Sequence, residues 1–339
     1  MVKDRRKQQL IDWLEQTTVP AQGELQVVSG DASFRRYFRY ASPHGWLIAV
    51  DAPPPQESLQ PFMAISSSYR AHGIRTPRVH AFHATAGFMV LDDLGDTLLG
   101  QRLVDEQAAN ALYQRALLQL PHIMRVTATE LGPLPAYNRA LLQRELDLFY
   151  DWLMGKHLGI NLSAAEQQAW QDACEILIQN ALQQPQVGVH RDYHSRNIML
   201  DDDLAELGII DFQDAVVGPI TYDAVSLLRD CYIKWPDNLV TQGVDFLYHQ
   251  LQAEQLIGSQ TSLTEFHYWF DLMGIQRHLK AAGIFARLLH RDAKPSYMSD
   301  VPRTLIYVLE ISKKYPALGA FSALISTVQH ALNRTLPDA

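Results

Sequence analysis

Apolar positions change their spacing partway along this chain. In the first ninety or so residues they fall in short alternating runs separated by turn residues, the period of strands. A helix is predicted over residues 3–16, with Leu10, Ile11 and Leu14 on one side, then strands over 25–28 and 34–40. In the second strand Phe34, Arg36, Phe38 and Tyr40 share one face, and Arg35, Tyr37 and Arg39 the other. A third strand, 46–50, is closed by Asp51-Ala52 and three prolines that cannot continue it. A helix over 56–72 and strands over 79–84 and 88–91 follow. The acidic, glycine-containing stretch Asp92-Asp93-Leu94-Gly95-Asp96 then reads as a hinge. Beyond it apolar residues recur at three and four, predicting helices over 107–125, 139–157, 164–183, 224–233, 237–252, 263–290, 304–313 and 317–331. Ser163 and Glu166 form a capping box at the start of the third. The pattern is that of an α+β, two-lobed chain: a small sheet-rich N-lobe, residues 1–95, and a large helical C-lobe, residues 96–339.

Two short apolar runs interrupt the helical half, 187–189 and 207–210, and each ends in an acid-bearing segment. Between them stand His190-Arg191-Asp192, then Asn197, a strand over 198–200 and the turn Asp201-Asp202-Asp203. Asp211-Phe212 closes the second run. The pattern His-x-Asp-x-x-x-x-Asn, strand, turn, strand, Asp-Phe has the catalytic-loop spacing of kinases, and phosphoryl transfer gives each residue work. Asp192 would accept the proton of an attacking hydroxyl. Asn197 and Asp211 would supply oxygen ligands for Mg²⁺. At ~5% usage per residue type, only about 0.04 chance matches to the three fixed residues are expected in such a chain. A bland alternative makes His190 a buried, hydrogen-bonded histidine and the acids a hairpin surface. A zinc site of His190, Asp192 and His194, which share a face in an extended segment, is another. It leaves Asn197 and Asp211 without work, and no Cys or His cluster completes its shell.

The stretch Ser29-Gly30-Asp31-Ala32-Ser33 joins two predicted strands, the plan of a loop that lies over nucleotide phosphates with its backbone N–H groups, with a plain hairpin turn as the alternative. The following strands lack the lysine that kinases place against those phosphates; no lysine occurs between Lys7 and Lys156. Either Arg35 or Arg36 takes over its charge or helix dipoles and the metal suffice, and solvent-facing strand arginines are the alternative reading of the two. Glu57, at the start of the next helix, is left without its expected lysine partner.

Composition narrows the class further. A net charge of −8 argues against non-specific nucleic-acid binding. Cys174 and Cys231 are too few for a disulfide framework and read as buried thiols. No run approaches the ~20 apolar residues of a membrane span, and residues 10–14 are too short and interrupted for a signal-peptide core. A cytoplasmic protein with no membrane and no nucleic-acid partner is expected, and its oligomeric state is left open.

The stretches HRDYHSRNIM, IIDFQDAVVGPITYDAVSLLRD and GDASFRRYFR together resemble the aminoglycoside phosphotransferase family of small-molecule kinases. Within it, they are similar to the anomeric kinases for N-acetylmuramate and N-acetylglucosamine that serve cell-wall recycling. The likeness runs from about Leu10 to about Leu332. It implies a protein-kinase-like fold, ATP and Mg²⁺ as cofactors, and a sugar acceptor converted to its 1-phosphate in peptidoglycan recycling. It also implies catalytic roles for Asp192, His190, Asn197 and Asp211, and nucleotide contacts at Gly30, Asp31, Ala32, Ser33, Arg35 and Arg36. Backbone groups near Asp92 to Leu94 would hold the adenine edge. Asp223 matches the acid that braces the catalytic loop, although a helix N-cap is an equal reading of it. Polar and aromatic residues in otherwise apolar helices are candidates for the acceptor: Glu145, Asp147 and Trp152; Arg229, Asp230 and Tyr232; Gln276, Arg277 and His278. From these Glu145, Arg229, Asp230 and Gln276 are chosen, against the alternative that such residues are structural. Competing functions are the same chemistry on another small alcohol, such as an aminoglycoside, choline or homoserine, and a pseudokinase that binds nucleotide without turnover.

Overall fold

The computed structural model describes residues 4–28, 35–54, 57–201 and 206–335. The chain divides into two compact units. One comprises Met1–Leu99, Ala128–Pro133 and Arg196–Asp214; the other comprises Gly100–Thr127, Leu134–Ser195 and Ala215–Ala339.

The first unit is built on a five-stranded antiparallel sheet in the order β1-β2-β3-β5-β4. Its strands are β1 (Gln22–Val28), β2 (Arg36–Ser42), β3 (Gly45–Asp51), β4 (Val79–His83) and β5 (Phe88–Asp92). Helix α1 (Arg5–Leu14) buries Leu10 and Leu14 against Phe38, Tyr40, Leu47 and Val90 of this sheet. That anchoring also uses charge. Asp51, fully buried, accepts from Arg6 of α1 and from Arg36 of β2, whose Nε lies 3.0 Å away. Helix α2 (Gln60–Ala71) starts four residues later than residues 56–72 suggest, with Pro61 in its first turn where a missing N–H costs nothing. The short strands β6 (Ala128–Thr129) and β7 (Gly132–Pro133) complete this unit. So does a hairpin whose strands are β9 (Ile198–Leu200) and β10 (Leu207–Ile209), paired Ile198↔Ile209.

Helices dominate the second unit. The segment predicted as one helix over 107–125 is two, α3 (Glu106–Leu117) and α4 (Leu120–Met124), because Pro121 can open a helix but not continue one. The segment predicted over 139–157 is α-helical only in α5 (Arg139–Leu148) and winds on as a π-helix over Phe149–His157. The change falls where a neighbouring helix crosses closely: a Cβ at Gly283 would lie 2.4 Å from the carbonyl carbon of Leu148. Helix α6 (Ala164–Gln183) has its predicted limits and both bonds of the Ser163–Glu166 capping box. Strand β8 (Gln186–Val189) pairs antiparallel with β11 (Val216–Pro219), a strand that the apolar pattern alone does not predict. Gly188 sits in β8 because a Cβ there would meet the carbonyls of Val126 and Ile123 at 2.3 and 2.5 Å. The remaining helices are α7 (Tyr222–Leu228), α8 (Asp237–Ala253), α9 (Leu263–Asp292), α10 (Val301–Ser312) and α11 (Gly319–Thr335). Helix α9 packs against α5, α6, α7 and α10, and its middle turns are buried all round. Among the described residues no helix is long and apolar enough to cross a membrane.

Candidate active site

In the helical unit, β8 delivers His190, Arg191 and Asp192 in succession. Their backbone is fixed by Asp223 in the first turn of α7: its carboxylate accepts from the amide of His190 at 2.7 Å and of Arg191 at 3.0 Å. The side chain thus braces the loop and does not cap the helix. Those two bonds hold Arg191 at φ 77°, a left-handed conformation that costs a non-glycine residue of order 1 kcal/mol or more. The far end of the loop is held by a second acid, Asp230, just past α7. It accepts from Ser195 N at 3.0 Å, Ser195 Oγ at 2.5 Å and Tyr232 N at 3.0 Å. Asp192 therefore projects from a loop pinned at both ends. His190 is sealed from solvent, and its Nδ1 lies 3.3 Å from the Asp192 amide.

Asp192 is half-buried in a field of cations. Burial pushes its carboxyl up, but Lys280, His194, Arg277 and Arg191 outweigh that and bring it down to about 2. It is an anion throughout the physiological range. Asp223 behaves oppositely: burial raises it to about 7 against the pull of its two amide bonds, and the charge of Asp192 adds to the rise.

Beside the loop lies a buried polar cluster. Glu145 on α5 accepts from Tyr137 Oη, from Arg191 Nη2 at 2.5 Å and from Gln276 Nε2 at 3.2 Å, with Lys280 Nζ 3.5 Å away. Gln276 also donates to Tyr137 Oη at 2.9 Å, and Lys280 to Tyr222 Oη at 2.9 Å. Glu145 and Gln276 are thus joined to the loop through Arg191 and engaged with protein partners. Arg229 and Asp230 are likewise engaged with protein partners. Arg229 pairs with Asp271 at 2.6 Å over the ring of Phe270, and Asp230 holds Ser195. Lys280 was overlooked. It stands one helical turn after Gln276, and that spacing was the available signal.

In the sheet unit the hairpin β9–β10 carries the other motif residues. Asn197 Nδ2 donates to Asp211 Oδ2 at 3.3 Å, and Gln213 Nε2 to Asp211 Oδ1 at 2.8 Å. Asp211 has φ 64°, again left-handed, while Phe212 beside it is fully buried, 4.7 Å ring to ring from Phe62 and 5.6 Å from Tyr69 of α2. An amide oxygen and a carboxylate brought together in this way are the hard donors Mg²⁺ prefers. Among the described residues no three His, Cys, Asp or Glu side chains converge as a metal cluster.

The nucleotide candidates divide. Gly30, Asp31, Ala32 and Ser33 lie outside the described residues. Arg35 is buried, with Nη2 3.1 Å from Glu57, so an arginine meets the acid that the absent lysine would have met. Arg36, by contrast, is tied to Asp4 and Asp51 and holds α1 to the sheet. Asp92 donates its amide to the Arg78 carbonyl at 3.0 Å and accepts from His80 at 2.6 Å. With Leu94 it borders a recess shared with Trp46, Ile74 and Arg78.

A loop-borne carboxylate after one strand and an Asn–Asp oxygen pair on a following hairpin are the parts of a kinase-like phosphotransferase. The chain belongs to the phosphotransferase enzyme family, whose model matches residues 24–255. It is 40% identical to an N-acetylmuramate/N-acetylglucosamine kinase of Pseudomonas putida over 96% of this chain and 97% of that one. Its identity to a kinase of the same name from Neisseria meningitidis is 38%, over 95% of each chain. Solved structures with the same α+β fold include the GDP complex of aminoglycoside 2'-phosphotransferase-IIIa, with TM-score 0.62 and 12% identity over 93% of this chain and 100% of that one. Another is the choline kinase LicA of Streptococcus pneumoniae, also at TM-score 0.62 and 12% identity, over 91% and 100%.

Proposed function

We propose that this chain is a cytoplasmic, ATP-dependent kinase that phosphorylates N-acetylmuramate and N-acetylglucosamine on the anomeric hydroxyl, in cell-wall recycling. The observation that carries the reading is Asp192, a carboxylate kept ionised by surrounding cations on a loop braced at both ends. The names of relatives 38–40% identical to it supply the acceptor. In the reaction, the anomeric oxygen attacks the γ-phosphorus as its proton passes to an Asp192 oxygen. The new O–P bond forms as the bond from γ-phosphorus to the β,γ-bridging oxygen breaks, and ADP departs. A carboxylate as weakly basic as Asp192 suits an acidic hydroxyl, and the anomeric one is more acidic than an ordinary alcohol. Asp192 then contributes as much by orienting that oxygen as by basicity. Asn197 and Asp211 would hold Mg²⁺, which when bound neutralises charge on the nucleotide phosphates. Arg35, steadied by Glu57, stands in for the strand lysine.

A cationic acceptor such as choline or an aminoglycoside fits less well, because Lys280, Arg277 and Arg191 make the surroundings of Asp192 positive. The pseudokinase reading loses its main support, since Arg35 meets Glu57. The test is ATP consumption with Mg²⁺ over an acceptor panel. Both amino sugars should be consumed, their methyl glycosides should be inert, and phosphorus NMR should show coupling to the anomeric proton. Brisk turnover of a methyl glycoside would exclude the anomeric assignment.

A further inference from the structure

Arg277, in the buried middle of α9, is 5% exposed. Nη1 donates to Cys231 Sγ at 3.4 Å, and a thiol is a weak acceptor for a full charge. Of the acids that feel its charge, Asp230 is engaged with Ser195 and Asp223 with the loop amides, which leaves Asp192 on the loop itself. Among the described residues, no carboxylate lies within ion-pair distance of Arg277. A guanidinium has five N–H donors, and a buried charge is costly unless it is paired. Arg277 therefore presents unused donors from a largely dry setting. Cys231 directly follows Asp230, the acid that holds Ser195 at the end of the loop, so Arg277 stands beside the element that pins the loop. Asp192 feels Arg277 together with Lys280, three residues further along α9.

An acceptor whose hydroxyl reaches Asp192 would bring its substituents toward this arginine. We propose that Arg277 is the specificity-determining residue for an acidic acceptor, its guanidinium binding a carboxylate substituent on a sugar whose hydroxyl is offered to Asp192. The inference rests on the sugar-kinase reading and deepens it: of the two amino sugars, the one bearing a carboxylate is the acceptor this site is built to hold. Lys280, tied to Tyr222 and facing Glu145, keeps the surroundings positive without being the direct partner.

The experiment compares kcat/KM for N-acetylmuramate, its methyl ester and N-acetylglucosamine, first on the unaltered enzyme and then on Arg277→Gln and Arg277→Lys. A hydrogen-bonded charge pair of this kind is worth on the order of 10- to 100-fold, so the unaltered enzyme should prefer the free acid to its ester by about that factor. Arg277→Gln should shrink the preference to roughly threefold or less, chiefly through KM, and Arg277→Lys should keep part of it. The acid–ester comparison needs no variant, so a misfolded Arg277→Gln does not remove the test. Equal kcat/KM for acid and ester on the unaltered enzyme overturns the inference while the kinase reading stands. So does an equal loss on all three acceptors in Arg277→Gln with a raised KM for ATP, which would assign Arg277 to the transferred phosphate. Failure of the unaltered enzyme to phosphorylate either sugar refutes the sugar-kinase reading itself, and the inference with it.

Discussion

Removing Glu145 should destabilise the helical unit more than any other single change near the loop. Glu145 is 4% exposed and is the shared anion of two cations, the half-buried Arg191 and the buried Lys280. It also accepts from Tyr137 and Gln276, which retain their bond to each other when it is gone. Glu145→Ala strands both cations, and breaking a buried pair from one side costs about 3–5 kcal/mol. For a unit of about 215 residues, each kcal/mol moves Tm by roughly 2–4 °C, which gives a drop of about 6–20 °C. Calorimetry is the suitable assay, because the two units need not melt together. Glu145→Gln, which keeps the shape and loses the charge, should fall between. A second change supplies the sharper check: adding Lys280→Met to Glu145→Ala removes one stranded cation and should restore part of the loss. The pH dependence has a definite sign. Burial raises Glu145, yet Lys280 and Arg191 more than reverse that and leave it below its ordinary value of 4.5. Its contribution is therefore complete above that value and fades as the pH falls through the lowered one. A Glu145→Ala transition within about 1 kcal/mol of the parent would refute the argument, since it would mean that the two cations find water or another anion at little cost.

Other expectations are briefer. Asp192→Asn should lower kcat by roughly 10²–10⁴-fold with ATP affinity largely kept, and near-native turnover would remove Asp192 as the base. Because Asp192 is brought from 3.8 to about 2, any stability it adds is present above pH 3.8 and lost between there and pH 2. It should therefore leave no acid limb in the activity profile above about pH 4. Arg35→Ala should raise KM for ATP, whereas Arg36→Ala should lower Tm with that KM unchanged, and the opposite outcome would exchange their roles. Asp211→Ala should remove most activity, with extra Mg²⁺ recovering little, as titration of activity against Mg²⁺ would establish.

Local patterns were legible and close approaches were not. Helix α6 was readable to the residue because its capping box and its apolar spacing are both written within a few positions. The hairpin of Asn197 and Asp211 was readable for the same reason: turn acids between two apolar triplets. The π-helical winding over Phe149–His157 was not, and it begins where the backbone is closely approached by Gly283, more than a hundred residues away in sequence. Strand β11 was missed since Val216–Pro219 holds a glycine and a proline, and only pairing with β8 makes it a strand. Arg35 and Arg36 are adjacent and alike in sequence. What separates them is which acid lies opposite, Glu57 for one and Asp51 with Asp4 for the other.

The acceptor candidates mark where sequence reading stops, and the reason lies in α9. A helix with one wet face announces its buried side by period, but the middle of α9 is covered all round. Asp271, Gln276, Arg277, His278 and Lys280 are all buried there, so their polarity cannot be assigned to solvent from spacing alone. Each must then be judged by its partner. Asp271 has Arg229 and Tyr315, Gln276 has Glu145 and Tyr137, His278 has the Arg229 carbonyl, and Lys280 has Tyr222. Arg277 has a thiol. A buried polar residue matched by the protein argues for structure, and one matched poorly argues for a ligand. By that criterion Gln276, whose Nε2 is matched by Glu145 and Tyr137 but whose Oε1 is buried without a partner among the described residues, and its neighbour Arg277 are both residues to test.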